Sequence, residues 1–464
     1  MITTEKSSFR DNNGFIFYKN GEIFRGINFS YKENYESLIK SGLYEYLVKE
    51  NLLIPHTEDE LKEFNGTLFK IIKPQKIDFI SYPYEWCFSQ LKDAALTTLR
   101  IQKIALKYEM TLKDSSAYNI QFNCGKPVLI DTLSFEVYKE NEPWVAYNQF
   151  CKHFLAPLVL SALCDIRLSS ILKNFIDGVP LDFAKNILRG KVFFKPGIFI
   201  HIYLHSKFQT KYSDEDKTVT VNKKWMNKNS HIRLIENLEN LIGKLKIKTN
   251  KTNWSNYYFD QHHTKKYFDE KKETVENYIK KINPRRVWDM GANEGEFSKI
   301  ASLNGGDNVQ VVAFDNDHES IEKCYKNVKR NNIKNLIPLI NDLTNPSPSI
   351  GWANSERMSL VERSNADLAL ALAIIHHLCI SNNIPIEFAA EFFNKICKWL
   401  IIEFVPKSDP MVKKLLLHRK DIFDNYSIEN FEVGFQKYFS LIDQKQISGT
   451  GRVIYLMKNN KNQV

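Results

Sequence analysis

The segment Val287-Trp288-Asp289-Met290-Gly291-Ala292-Asn293-Glu294-Gly295-Glu296-Phe297-Ser298 joins an apolar run to two spaced glycines. It predicts a strand, a tight turn and a helix start. Gly291 lets the chain turn sharply and approach a ligand closely, and the first amides of the following helix point at whatever sits there. Seating a pyrophosphate needs G-x-G-x-x-G, and here only Gly291 and Gly295 are present, with Asn293 between them. Asp289 at the strand end also disfavours a phosphate, so a cationic ligand without one fits better. A second apolar run ends in Asp315, with Asn316 beside it, about 20 residues beyond the turn, where a carboxylate can accept both hydroxyls of a ribose. A third ends in Asn341-Asp342-Leu343. A fourth, Ala366–Ala373 with Ala371 near its end, runs into Ile374-Ile375-His376-His377-Leu378. A neutral imidazole there can take a proton from a hydroxyl or an amine. Glu403 closes the next run and is a further base candidate. Taken singly, Asp289 and Asp315 serve equally well as helix caps; their recurrence in order at successive strand ends favours a site. No residue set has recognisable metal-ligand spacing, so no metal is assigned.

These residues together resemble the motifs of class I S-adenosylmethionine-dependent methyltransferases. The glycine segment is similar to the family's D-x-G-x-[GN]-x-G. The resemblance implies S-adenosylmethionine as cofactor, with Asp289, Gly291, Asn293, Gly295, Asp315, Asn316, Asp342, Leu343 and Ala371 around it. Asp342 would meet the adenine amino group. The family's pre-helix histidine falls at His377, which is therefore favoured as base over His376 and Glu403. It also implies a Rossmann-like sheet of seven strands.

The N-terminal half carries Asp114-Ser115-Ser116-Ala117-Tyr118-Asn119, a D-x-x-x-x-N, followed by Ile130-Asp131 at a strand end. This resembles the catalytic and metal-binding loops of protein kinases and small-molecule phosphotransferases, in which an Asp is the base and an Asn and a second Asp hold magnesium. The likeness is incomplete. No glycine-rich phosphate loop is evident, Asp131 is followed by Thr132-Leu133 rather than Phe-Gly, and no V-A-I-K-like lysine is evident, although Lys70 or Lys73 could substitute for it. Asp114, Asn119 and Asp131 are thus a possible phosphotransfer remnant in an α+β kinase-like domain, or merely turn caps. The whole chain also resembles a family of bacterial methyltransferases that includes a host-specificity nodulation protein. Tyr82–Trp86, Leu112–Asp114, Ile130–Glu136, Asn341–Trp352 and Glu403–Lys407 carry that likeness, which implies a bacterial cytoplasmic enzyme.

The elements that must position these groups are readable from the pattern. A hairpin is expected around Asn20-Gly21, a helix over Tyr35–Asn51, a strand over Thr67–Ile72, a long helix over Ser89–Tyr108, a second hairpin at Asn123–Lys126 and helices through Tyr147–Ile176. After residue 285, short apolar strands alternate with helices, as in a parallel sheet covered on both faces. Phe435–Gln444 and Arg452–Lys458 read as a closing antiparallel hairpin. The loop Asn341–Trp352, continuing to Arg363, reads equally as a cover for the cofactor or acceptor mouth and as plain surface.

Between the halves, Lys223, Lys224, Lys228, Lys244, Lys246, Lys248, Lys251, Lys265, Lys266, Lys271 and Lys272 crowd a stretch without proline. They read as a solvated helix surface, with an RNA-facing patch as the other reading. Trp254–Tyr258 and His262-His263 are of the type that folds over a donor. The expected organisation is a kinase-like domain over 1–210, a basic helical connector over 211–265 and the methyltransferase domain over 266–464.

The length of 464 residues accommodates this, and a hydrophobic content of 43% with 25% charged residues is ordinary for a globular protein. The net charge of +10 is mild. Seven dispersed cysteines and no secretory signal favour a reducing cytoplasm. No run is long and apolar enough to span a membrane. The expected activity is methyl transfer to a hydroxyl or amine of a saccharide, a lipid-linked compound or a small molecule, with the N-terminal region aiding acceptor recognition. The rivals are a bifunctional kinase and methyltransferase acting on a glycan, an RNA methyltransferase, and a non-catalytic N-terminal scaffold for a partner protein.

Overall fold

In the computed structural model the described residues are 2–462 except 62, 63, 65, 191–194, 206–225, 248–264, 306, 307 and 418. Lys223, Lys224, Lys248, Lys251, Trp254–Tyr258, His262 and His263 lie outside them. The chain divides into two compact units, residues 1–248 with 349–357, and residues 249–348 with 358–464. Among the described residues, no helix is long and apolar enough to cross a membrane.

The first unit begins with a five-stranded antiparallel sheet of order β1-β2-β3-β5-β4, formed by β1 (Ile2–Thr4), β2 (Gly14–Lys19), β3 (Glu22–Ile27), β4 (His56–Asp59) and β5 (Lys70–Pro74). The expected β2–β3 hairpin turns at Asn20 and Gly21, both left-handed at φ 54° and 78°. The expected helix over Tyr35–Asn51 is two helices, Lys32–Lys40 and Leu43–Lys49, broken at Gly42 with φ 81°. The long helix is Phe88–Lys107. It is followed by two small ladders, β6 (Met110–Leu112) with β9 (Phe135–Val137), and β7 (Ile120–Asn123) with β8 (Lys126–Leu129). The loop segment 349–357 belongs to this unit. Glu356 accepts both Nε and Nη2 of Arg10 at 2.9 Å, and the Arg357 guanidinium lies 4.3 Å over the Tyr118 ring.

The second unit is a seven-stranded sheet of order β12-β11-β10-β13-β14-β16-β15. Its strands are β10 (Arg286–Met290), β11 (Gln310–Asp315), β12 (Leu336–Ile340), β13 (Ala366–Ala371), β14 (Cys397–Phe404), β15 (Phe439–Gln446) and β16 (Val453–Asn459). The first five run parallel, and β16 pairs antiparallel with both β14 and β15. Buried on both faces, the central strands are apolar almost throughout, which is why they stand out in the sequence. Helices Lys265–Ile282, Glu296–Asn304, His318–Arg330 and Ile386–Ile396 accompany them. One expected strand is corrected: Phe435 lies in the last turn of the helix Ile428–Gln436, capped by Ser427, and β15 starts only at Phe439. Phe431, Phe435 and Phe439 are all buried, at helical spacing.

The strand order reverses direction at β10. The chain passes from β10 outward through β11 to β12, then crosses to β13 on the other side of β10. Ligands of open α/β sheets bind in the crevice at such a switch point, outside the carboxyl ends of the strands.

Candidate functional site

The turn after β10 sits at that crevice. Gly291, at φ 92°, and Ala292 both donate their amides to the Phe314 carbonyl at 2.9 Å, folding the turn onto the end of β11. A Cβ on Gly291 would lie 2.9 Å from Ile374 Cδ1, so this glycine admits the loop that follows β13. Gly295, at φ 82°, would place a Cβ 2.5 Å from Cys324 Sγ. Its lack of a side chain therefore serves close packing of the helix Glu296–Asn304 against the helix His318–Arg330. Asn293 is left-handed at φ 51°, gives its amide to Asp315 Oδ2 at 2.7 Å and accepts the Glu294 amide at 2.7 Å.

Two carboxylates border the turn. Asp289 is buried, with the Ser298 hydroxyl donating to Oδ2 at 2.5 Å. Burial pushes it up to about 6, against that hydrogen bond, with the Asp315 charge adding to the rise and the Lys271 charge opposing it. Ser298 is a residue that sequence reasoning missed; its place one turn into the helix after the glycines was the available signal. Asp315 is partly exposed, takes the amides of Asn293 and Asp317, and is also pushed up by desolvation. Asn316 beside it is exposed. At the end of β12, Asp342 accepts the amide and hydroxyl of Thr344 at 2.8 and 2.7 Å, a local turn that orients its carboxylate, and Leu343 is half-buried. The Asn341 amide donates to the Asp315 carbonyl at 2.8 Å, so the second and third strand ends are joined. Ala371 is fully buried at the end of β13.

His376 and His377 follow β13 with ring centroids 4.2 Å apart. His376 is buried, and its Nδ1 has no hydrogen-bond partner among the described residues. Burial holds its pKa well below the ordinary value, and the charges of His377, Arg452 and Lys271 act in the same direction. His377 is only partly buried; desolvation first and Arg452 second lower it to about 4.

Glu403 is fully buried and committed to ion pairs. It accepts Lys271 Nζ at 2.6 Å, the Tyr267 hydroxyl at 2.9 Å and Arg452 Nη1 at 3.4 Å. Arg452 in turn donates Nε to Asp409 at 2.7 Å and Nη1 to Tyr267 at 2.8 Å. Despite desolvation, the two cations bring Glu403 down to about 2, which leaves it no strength as a base. Lys271, grouped by sequence with a solvated lysine surface, is 2% exposed and interior. Of its described neighbours in that stretch, Lys228 pairs with Glu109 and Lys272 with Glu296.

In the first unit, Asp114, Asn119 and Asp131 are brought near one another. Asn119 Nδ2 donates to Ser134 Oγ at 3.2 Å, and that hydroxyl donates to Asp131 at 3.1 Å. Burial raises Asp114, and the charge of Asp131 adds to the rise. The cation at Asp131 is Arg25 of β3, 3.3 Å away, and Arg25 also pairs with Asp11. Lys70 and Lys73 do not fill that place: they pair with Glu58 and Glu22.

The second unit is a seven-stranded α/β sheet whose strand order reverses beside a glycine turn, the arrangement expected from the resemblance to class I S-adenosylmethionine-dependent methyltransferases. More particularly, the chain belongs to the family of the nodulation protein NoeA of Rhizobium meliloti (strain 1021): the two are 31% identical over 461 residues, covering 98% of this chain and 96% of the relative. No protein-family model matches the chain. Similar solved structures include magnesium protoporphyrin IX methyltransferase from Synechocystis PCC 6803 with bound SAH, at 14% identity and TM-score 0.32 over 46% of this chain and 90% of that one. A SAM-dependent methyltransferase from Aquifex aeolicus has 16% identity and TM-score 0.31 over 45% and 100% of the two chains. WbdD has 18% identity and TM-score 0.30 over 48% and 47%.

Proposed function

We propose that the second unit transfers a methyl group to a hydroxyl or amine of an acceptor that is a saccharide, a lipid-linked compound or a small molecule. The observation that carries this reading is the pair of carboxylates, Asp289 and Asp315, on either side of a left-handed glycine turn whose Asn293 amide is donated to Asp315. In this reading Asp315 accepts the ribose hydroxyls, with Asn316 beside it. Asp342 and Leu343 border the adenine. Asp289, Gly291, Asn293 and Gly295 frame the amino-acid end, and Ala371 lies where the reacting centre passes β13.

The bound cofactor supplies a methyl on a cationic sulfur, open to in-line displacement. The protein's main task is then alignment of nucleophile and methyl. His377 is the proton acceptor: with its pKa near 4 it stays unprotonated through neutral pH, and it is the more exposed of the two imidazoles. The His376 ring packs against it, with centroids 4.2 Å apart. Isothermal titration of the chain with S-adenosylmethionine tests the reading. Asp315→Ala is expected to weaken binding at least about tenfold, or ~1.4 kcal/mol. No heat of binding to the wild type would remove the central claim, and undiminished affinity of the variant would remove the ribose assignment.

A second reading concerns the first unit as a kinase-like domain that recognises the acceptor or carries its own phosphotransfer. The Arg25–Asp131 pair beside Asp114 and Asn119 favours it, because a strand cation at the second Asp suits phosphate oxygens. Magnesium-dependent ATP consumption that falls to background in Asp131→Ala is the expected result. Absence of any such consumption by the wild type leaves acceptor recognition as the unit's role.

A further inference from the structure

The stretch that leaves the carboxyl end of β14 and leads to the helix Ile428–Gln436 carries side chains for which the methyl-transfer scheme has no role. Asp409 caps a short helix, Pro410–Leu416, by accepting the Met411 amide at 2.9 Å, and Val412 is buried beneath it. Away from that buried side, Lys413 and Lys414 are exposed, and Leu417, a helical turn beyond Lys413, is 73% exposed. Arg419 and Lys420 follow, both exposed, and then Ile422 at 65%. Two large aliphatic side chains thus stand in water a few positions apart, with cations before and between them.

The positive charge is not balanced locally. Lys413, Lys414 and Lys420 make no ion pair among the described residues. Asp421, next to Lys420, is taken by Lys407 at 2.8 Å, and Asp424 lies beyond Ile422. The stretch is also braced. Asp409 accepts Arg452 Nε at 2.7 Å, and the Tyr426 hydroxyl donates to the Val405 carbonyl at 2.8 Å. Arg419 stacks on Phe423 at 5.4 Å and donates Nη1 to the Ile380 carbonyl, in the turn His377–Ser381. Because β13 and β14 run parallel, His377 and this stretch leave the same edge of the sheet. A nucleic acid would answer the lysines but offer no apolar home to Leu417 and Ile422. An anionic bilayer answers both, with phosphates at its surface and hydrocarbon just below.

We propose that Lys413, Lys414, Leu417, Lys420 and Ile422 rest on an anionic lipid surface, the two aliphatic side chains entering below the headgroups and the lysines facing the phosphates. The inference rests on the methyl-transfer reading above for the role of His377, and it narrows that reading to the lipid-linked acceptor. A compound whose anchor stays in the bilayer presents its polar end at the surface, beside the turn that Arg419 ties to this stretch. The contact lies on the membrane and does not span it, since the helix has seven residues. Each lysine at such a surface contributes about fivefold in affinity, and salt screens the effect.

Co-sedimentation of the full chain with lipid vesicles tests this. Vesicles of phosphatidylcholine and phosphatidylglycerol in equal parts are expected to bind the wild type at least about tenfold more tightly than phosphatidylcholine alone, and added salt is expected to narrow the gap. Lys413→Ala/Lys414→Ala/Lys420→Ala is expected to lose about tenfold or more on the mixed vesicles. Leu417→Gln/Ile422→Gln, which leaves the charge unchanged, is expected to lose about tenfold or more as well. All five side chains are exposed, so both variants should keep the wild-type melting midpoint and affinity for S-adenosylmethionine. Failure of the wild type to sediment with the mixed vesicles overturns the proposal, as does sedimentation that either variant leaves undiminished. A wild type that instead dimerises, and is monomeric as Leu417→Gln/Ile422→Gln, overturns it in favour of a second copy as the occupant. If the wild type binds the vesicles as expected but gives no heat with S-adenosylmethionine, the lipid contact stands and the cofactor reading falls.

Discussion

Glu403→Gln is expected to destabilise the second unit by ~3–5 kcal/mol, although it removes one charge and almost no volume. The carboxylate is fully buried and touches Lys271, Tyr267 and Arg452, so the amide leaves two interior cations balanced by Asp409 alone. An uncompensated charge in a low-dielectric interior is far more costly than a lost neutral hydrogen bond. For a unit of this size each kcal/mol shifts the midpoint by ~2–4 °C, so scanning calorimetry of the full chain should show its transition falling by ~6–20 °C. The double variant Lys271→Met/Glu403→Leu should recover much of that loss, since apolar replacement of a buried pair is often neutral. A shift in Glu403→Gln below about 2 °C would mean that water already screens the pair, and the account of this network would be wrong.

The same network marks where sequence reasoning reached its limit. Glu403 looked like a strand-end base, Lys271 like one of many surface lysines, and Arg452 like the start of a hairpin strand. Their partners lie 132 and 49 positions away in the chain, and Arg452 meets Tyr267 across 185. Periodicity reports which face of an element is apolar; it cannot report that a charged residue on one element will be neutralised by another so far off. The parallel strands were legible for the opposite reason. Burial on both faces makes each a short apolar run, and the glycine turn and acidic ends are local in sequence.

The last helix and strand show an intermediate case. Phe431, Phe435 and Phe439 repeat every four residues and Ser427 caps the helix, whereas the sequence reading placed a strand from Phe435 onward. In the first unit, the hairpins and the long helix were readable from Asn-Gly, Cys-Gly and amphipathic spacing. The cation at Asp131 was not. Arg25 reaches it only because the β2–β3 hairpin returns the chain and β3 then pairs with β5, placing Arg25 opposite Ile72. That pairing depends on register, and a register is not visible until both strands are in the sheet.

Mild acid should open the first unit before the second. His153 is buried and lowered by burial to about 3, and His56 is lowered to about 4. Both are neutral in the fold, whereas an unfolded imidazole takes up a proton near 6.5. Between pH 6.5 and about 4 the unfolded chain therefore binds more protons, and stability falls as pH falls. At pH 5 each such histidine costs ~2 kcal/mol relative to neutral pH, or ~4 kcal/mol for the pair. Asp114 and Glu136 work the other way, since their raised pKa values favour the protonated native form in acid, while His201, His205 and His231, also lowered by burial, add to the loss. In the second unit His376 and His377 carry the same liability. There Asp289, raised to about 6, and Asp315, also raised, take up protons in the native state first and offset much of it. Glu403 opposes them only below the ordinary glutamate range, because its carboxylate stays charged down to about 2. Hydrogen exchange on the full chain at pH 7.5 and pH 5 separates the two outcomes. Protection in the helix Phe88–Lys107 should fall by ~4 kcal/mol, while β10, β13 and β14 should lose no more than ~1–2 kcal/mol. Equal losses in both units would show that the buried histidines of the first unit are already protonated or solvated in the native state.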